Sequence, residues 1–125
     1  MSYTIAWDNR GVVWTFYGVL TCDDVVQANL DIYGDSRFDE LRYQVVDISD
    51  VERFDVSADA MEVAASMDEV ASLSNPHLVV AVVATGEEGV AVAEMYLADM
   101  KDTSWEVRIF PSMADAGAWI QSTVE

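Results

Sequence analysis

One cysteine (Cys22), one histidine (His77) and one lysine (Lys101) leave several kinds of chemistry without their residues. A lone cysteine rules out an intramolecular disulfide and a thiolate zinc site, and a lone histidine rules out metal clusters built on imidazoles. Basic residues are scarce as well: 6 Lys and Arg stand against 23 Asp and Glu, for a net charge of −17. A field of that sign repels phosphate backbones and anionic lipid headgroups, so neither nucleic-acid binding nor membrane docking is expected, and a basic partner surface is favoured. No apolar run reaches the roughly eighteen residues of a membrane helix, so membrane insertion is not expected. The opening MSYTIAWDNR lacks a basic stretch followed by an apolar one. It does not read as a signal peptide, and cytoplasmic residence is the default expectation.

What is present suits one domain over residues 1–125, with 52% hydrophobic and 10% aromatic residues. A chain of this length buries roughly two-thirds of the surface its unfolded form exposes. Fourteen of the acids are Asp. A surface tuned for solubility is preferred over adaptation to high salt, a difference that stability measured against salt separates.

Tyr3, Ile5 and Trp7 alternate with Thr4, Ala6 and Asp8, and Val12, Trp14 and Phe16 alternate with Val13, Thr15 and Tyr17. Period two on both sides of Asp8-Asn9-Arg10-Gly11 predicts a β-hairpin, with Gly11 supplying a positive φ for the turn or a bulge. The aromatics of these rows are read first as cross-strand core pairs. Trp7, Trp14, Phe16 and Tyr17 are also the candidate apolar ligand patch.

Thr21 is a predicted N-cap with Asp24 in the reciprocal position. Val26, Leu30 and Tyr33, with Val25 and Ile32 beside them, form the stripe of this first helix, and Gly34 its left-handed stop. Cys22 at the helix start has no histidine near it in sequence, and a nucleophilic role is disfavoured. Residues 35–41 read as a short polar connection and Tyr43 to Ile48 as a strand, followed by an acidic loop. A helix is predicted from about Ser57 to Leu73, with Ala60, Val63, Ala64, Met67, Val70 and Ala71 along its inner face. Asn75-Pro76 ends it. Leu78 to Ala84 is apolar at every position, as in a central parallel strand covered on both faces. Glu87 and Glu88 open a third helix carrying Val90, Ala93, Leu97 and Met100 inward. Glu106 to Phe110 is the last strand, with Arg108 marking an edge or a solvated face, and Ser112 starts a final helix that docks Trp119 and Ile120. The expectation is an α/β fold: an N-terminal β-hairpin followed by αβαβαβα, in a mixed five-stranded sheet with parallel crossovers and four helices.

No catalytic constellation stands out. Ala84-Thr85-Gly86-Glu87-Glu88-Gly89 lacks the Lys-Ser/Thr ending of a phosphate loop and reads as a strand-to-helix turn. His77, beside Pro76, reads as structural or surface. Carboxylate pairs are abundant in so acidic a chain, and none is marked by an apolar setting. No cofactor is implied.

One stretch does carry a pattern. Asp47-Ile48-Ser49-Asp50-Val51 followed by Phe54-Asp55-Val56-Ser57 resembles the strand, loop and helix signature of STAS domains of the SpoIIAA anti-anti-sigma type. Asp47, Ser49, Val51, Asp55 and Ser57 fall on that signature without a gap. Val56 stands where it has its first serine, and Ala58 where it has glycine. NLDIYGDSRFD, RYQVVDISDV and WEVRIF are similar to a SpoIIAA-like branch that is functionally uncharacterised and related in structure to CRAL-TRIO lipid-binding domains. The resemblance implies a SpoIIAA-like fold, a bacterial setting and a non-enzymatic module for protein interaction. By its register Ser57 is the candidate phosphoacceptor, with Asp47, Ser49, Asp50 and Asp55 as the candidate loop surface. Read from the residues alone, Ser57 is what the N-cap of the following helix requires, and that structural reading is preferred. The alternative reading is a domain for a small hydrophobic ligand or lipid, bound between helices and sheet. Self-association stays open, and an enzyme is the least supported reading.

Overall fold

The computed structural model describes residues 3–124. Strands β1 (Tyr3–Trp7) and β2 (Gly11–Thr21) form the hairpin, and the chain continues through α1 (Cys22–Tyr33), a 3-10 turn (Ser36–Glu40), β3 (Tyr43–Asp55), α2 (Ala58–Ser74), β4 (Val79–Val83), α3 (Gly86–Met100), β5 (Glu106–Phe110) and α4 (Met113–Val124). The sheet order is β1-β2-β3-β4-β5; β1 is antiparallel to β2 and every other pairing is parallel. This is the mixed five-stranded α/β architecture with four helices that the sequence predicts.

Each parallel crossover moves one strand further in the same direction, so connections of one hand lay α1, α2 and α3 on the same face. The larger core lies there, joining Trp14, Phe16 and Leu20 of the sheet to Ala28, Ile32, Ala65, Ala93 and Met100. On the other face α4 alone packs across β3, β4 and β5, seating Ala116 and Ile120 against Val45, Ala81 and Val83, with Trp119 beside them. The central strand β4 is thus covered on both sides, and β5, which carries Arg108, is an edge.

Several local expectations change. The predicted acidic loop after Ile48 is strand: β3 runs on to Asp55 because β2 is long enough to pair with it as far as Thr21. Two bulges each give β3 one extra residue, Ile48 and Ser49 facing Phe16, and Glu52 falling between the pairs Gly18–Val51 and Val19–Arg53. Gly18, at φ +68°, supplies the left-handed backbone beside the second bulge. Gly11 is not in that region; its role is steric, because a Cβ there would lie 1.9 Å from the Tyr43 ring. Gly34 caps α1 in the right-handed region, at φ −81°, with its N–H bonded to Leu30. The polar connection is a 3-10 turn that buries Phe38, stacked edge-on against Tyr33 at 5.0 Å. Asn75, buried, donates to the carbonyls of Phe38 and Leu41 at 2.9 Å, while its own carbonyl accepts from the Trp105 indole at 2.7 Å. One side chain thereby ties the end of α2 to the turn before β3.

The inward faces of two helices also differ from the predicted stripes. Leu30 of α1 is exposed, and Ala28 and Ile32 are buried instead. In α2, Val63 and Val70 face solvent, whereas Ala60, Met61, Ala64, Ala65, Asp68, Ala71 and Ser72 are buried. α2 is the middle helix of its layer, in contact with both α1 and α3. Its alanine face permits close approach to them, and the bulkier valines are left outside.

Candidate functional site

The signature segment begins on β3. Asp47 is buried, and its Oδ1 accepts from the Ser49 backbone N–H at 3.0 Å and from the Ser49 hydroxyl at 2.6 Å. Ser49 sits in the first bulge, where one residue per bulge falls out of the regular ladder. The carboxylate therefore satisfies a backbone donor that the irregularity displaces. Asp50 and Asp55 are exposed, on the part of β3 that extends past β4. Ser57 is exposed and is the N-cap of α2, its Oγ accepting from the Ala60 N–H at 3.1 Å. The structure thus brings Asp47 and Ser49 together and sets Ser57 at a helix start.

The four aromatics of the candidate patch do not share a surface. Trp14 and Phe16 are buried beneath α1, α2 and α3. Tyr17 follows Phe16 on the strand, points to the opposite face and is 44% exposed. Trp7 is partly buried near the sheet margin, with the Arg37 guanidinium 3.8 Å above its ring.

Between the sheet and α1, α2 and α3 lies a partly open cavity of about 70 Å³. Its floor is Trp14, Phe16 and Leu20 of β2 with Gln44, Val46 and Ile48 of β3; Val25 and Asn29 of α1, Met61 and Asp68 of α2, and Val92 and Tyr96 of α3 are among the residues above it. The lining is almost wholly apolar, which makes its polar atoms conspicuous. Asp68 is buried, with Oδ1 accepting from the Tyr33 hydroxyl and Oδ2 from the Tyr96 hydroxyl. One carboxyl group so joins α1, α2 and α3. Burial pushes it up from 3.8 to about 7, against the hydrogen bond from Tyr96. Burial, then the neighbouring Asp68 charge and hydrogen bond, hold the Tyr96 phenol well above its ordinary range. Two further buried donors, Trp14 Nε1 and Gln44 Nε2, have no hydrogen-bond partner.

Sequence reasoning passed over Asp68 and Gln44. Asp68 was visible only as the acidic member of the register 61, 64, 65, 68, 71 and 72, which competes with Val63 and Val70 for the inner face. Gln44 is the inward partner of Val12 across the β2 and β3 pairing, a position that only the register reveals.

Among the described residues no three His, Cys, Asp or Glu side chains are grouped as metal ligands, and no helix is long and apolar enough to cross a membrane. No family model and no curated protein matches the sequence. Among solved structures the chain is similar to an uncharacterised protein of the DUF3478 family, with a SpoIIAA-like fold, from Shewanella loihica PV-4. The two share 20% identity at a TM-score of 0.55, over 94% of this chain and 90% of the other. The likeness extends through nearly all of the secondary structure, and the fold of this chain is SpoIIAA-like.

Proposed function

We propose, from the SpoIIAA-like fold as premise, that the protein is a non-enzymatic STAS-type regulatory module that docks a basic partner protein on the outer face of α2. The observation that carries this reading is the exposed apolar surface of that helix. Val63, Val70 and Leu73 are 50%, 69% and 83% exposed, and Met67 is partly exposed among them. Asp59, Glu62 and Glu69 stand exposed on the same helix. Apolar side chains within an acidic border suit a partner that presents its own apolar residues among Lys and Arg, and the net charge of −17 steers such a partner toward the module.

Ser57 is the point of regulation in this reading, as an exposed hydroxyl at the first turn of the docking helix. Phosphate there would gain from the positive end of the helix and lose by repulsion from Asp55 and Asp59, changing the charge of the approach to α2.

The docking reading is tested with Val70→Ser combined with Leu73→Ser, which removes apolar area without adding charge. The complex isolated with the wild-type chain from its own cells should weaken with salt and be lost in the variant, while the melting temperature stays unchanged. Retention of the complex by the variant overturns the docking face, and a dimer that dissociates in the variant by light scattering would make a second copy the occupant. Regulation is read separately, from the intact mass of the protein purified from its own cells. An increment of one phosphate that disappears in Ser57→Ala supports it, and an unmodified Ser57 after exposure to the cells' kinases ends it.

A further inference from the structure

The cavity under α1, α2 and α3 holds an unmet demand of one sign. Trp14 and Gln44 are each 2% exposed, and Trp14 Nε1 and Gln44 Nε2 lack any hydrogen-bond partner. Register places them together: Val12 pairs with Gln44 and Trp14 with Val46, so the two side chains project from neighbouring strands on the same face, one diagonal step apart. Indole nitrogen can only donate, so whatever meets Trp14 must accept. Leaving a buried donor unpaired is unfavourable, and native interiors avoid it. Asp68 does not answer the demand: its oxygens accept from the Tyr33 and Tyr96 hydroxyls, and neither Trp14 nor Gln44 donates to it.

We propose that this cavity is a binding site for a small, uncharged, mainly apolar molecule with one hydrogen-bond acceptor, such as a carbonyl oxygen, held by the Trp14 and Gln44 N–H groups. The walls argue for the apolar body. Apart from Trp14, Asn29, Gln44, Asp68 and Tyr96 the lining is made of apolar side chains, so most of a bound molecule meets carbon rather than a hydrogen-bond partner. Charge argues for neutrality: the Asp68 carboxyl and the acidic surface oppose an anion, and unpaired N–H donors on lining residues oppose a cation. Size sets the scale. A cavity of about 70 Å³ is smaller than the roughly 150 Å³ that accommodates benzene in an engineered core. The enclosed part of the ligand is therefore only a few heavy atoms, and anything longer leaves by the side where Val25 and Asn29 are partly exposed. The site is distinct from the outer face of α2, so it and the docking reading stand or fall separately.

Butanone and its hydrocarbon isostere 2-methyl-1-butene are the probes, followed by the indole N–H resonances of the ¹⁵N-labelled protein and by the melting temperature. The Trp14 signal is identified by its loss in Trp14→Phe. Butanone should shift that signal saturably and raise the melting temperature, and the hydrocarbon should bind about fivefold or more weakly. Gln44→Met should weaken butanone without weakening the hydrocarbon. Absence of a saturable shift, equal binding of the two probes, or a Trp14 N–H that exchanges only with a resident water that butanone does not displace overturns the proposal. The comparison of the two probes on the wild-type protein decides the matter even if a variant fails to fold.

Discussion

At the scale of single residues, Asp68 links stability to pH. Its folded-state value lies near 7 against an ordinary 3.8, so between those values the folded protein holds a proton that the unfolded chain has released. The contribution of Asp68 to stability is therefore fullest below about pH 4, declines as pH rises through the interval, and levels off above about pH 7. Asp68→Asn cannot ionise and can still hydrogen-bond both Tyr33 and Tyr96. Its stability relative to wild type should grow by on the order of 2–3 kcal/mol between pH 5 and pH 8, read from urea midpoints at each pH. A difference that does not change with pH would mean the wild-type carboxyl is already ionised at pH 5. Ser57 belongs at the same scale. Ser57→Ala removes the acceptor for the Ala60 N–H and should destabilise the protein by about 1 kcal/mol in urea titration, with Ser57→Asp, another good cap, close to wild type. Ser57 was legible in the sequence because capping is a local rule. Asp68 was not, because one acid among 23 is distinguished only by what surrounds it.

The elements show which local rules survive packing. The hairpin, the capping box of α1, the Ser57 cap and the apolar β4 all follow from spacing within a few residues, and the structure has them. The length of β3 depends on a neighbour, since its polar continuation to Asp55 is held by backbone pairing with β2 and by bulges that no pattern announces. Gly11 makes a related point. It was assigned to a turn, yet what excludes a larger residue is the ring of Tyr43, which is far along the chain and whose hydroxyl donates to Asp8 at 2.8 Å. Gly11→Ala should destabilise by about 1–3 kcal/mol through overpacking, and much less in a Tyr43→Ala background, as a double-mutant cycle by denaturant unfolding would report. Equal losses in both backgrounds would place the effect in the backbone of Gly11 itself. The inner face of α2 is the clearest case of a pattern overridden. Valine predicts burial more strongly than alanine when a helix is considered alone, but a helix wedged between two others buries the side that lets it come close.

For the molecule as a whole, charge is the dominant property. Among the described residues only two ion pairs form, Arg37 with Asp35 and Arg108 with Glu106, each exposed and between residues two apart. Such pairs contribute little, so salt has little attraction to weaken and much repulsion to screen. The melting temperature should rise with added salt from about 0.01 M, where the screening length is about 30 Å, and flatten well before about 1 M, where it is about 3 Å. A rise that continues through molar salt would instead favour adaptation to a saline interior over a surface tuned for solubility.

The sequence by itself determined the class of fold, the order of its elements and the Thr21 and Ser57 N-caps, because hydrophobic period and N-capping act between residues within one or two turns of each other. It also pointed to the signature from Asp47 to Ser57, since that pattern is contiguous. Only the tertiary structure decided which side of α2 is buried, how far β3 runs, and that Trp14, Gln44 and Asp68 line one cavity. Those features depend on distances between strands and helices far apart in the chain, and on whether a buried polar atom finds a partner once they have met.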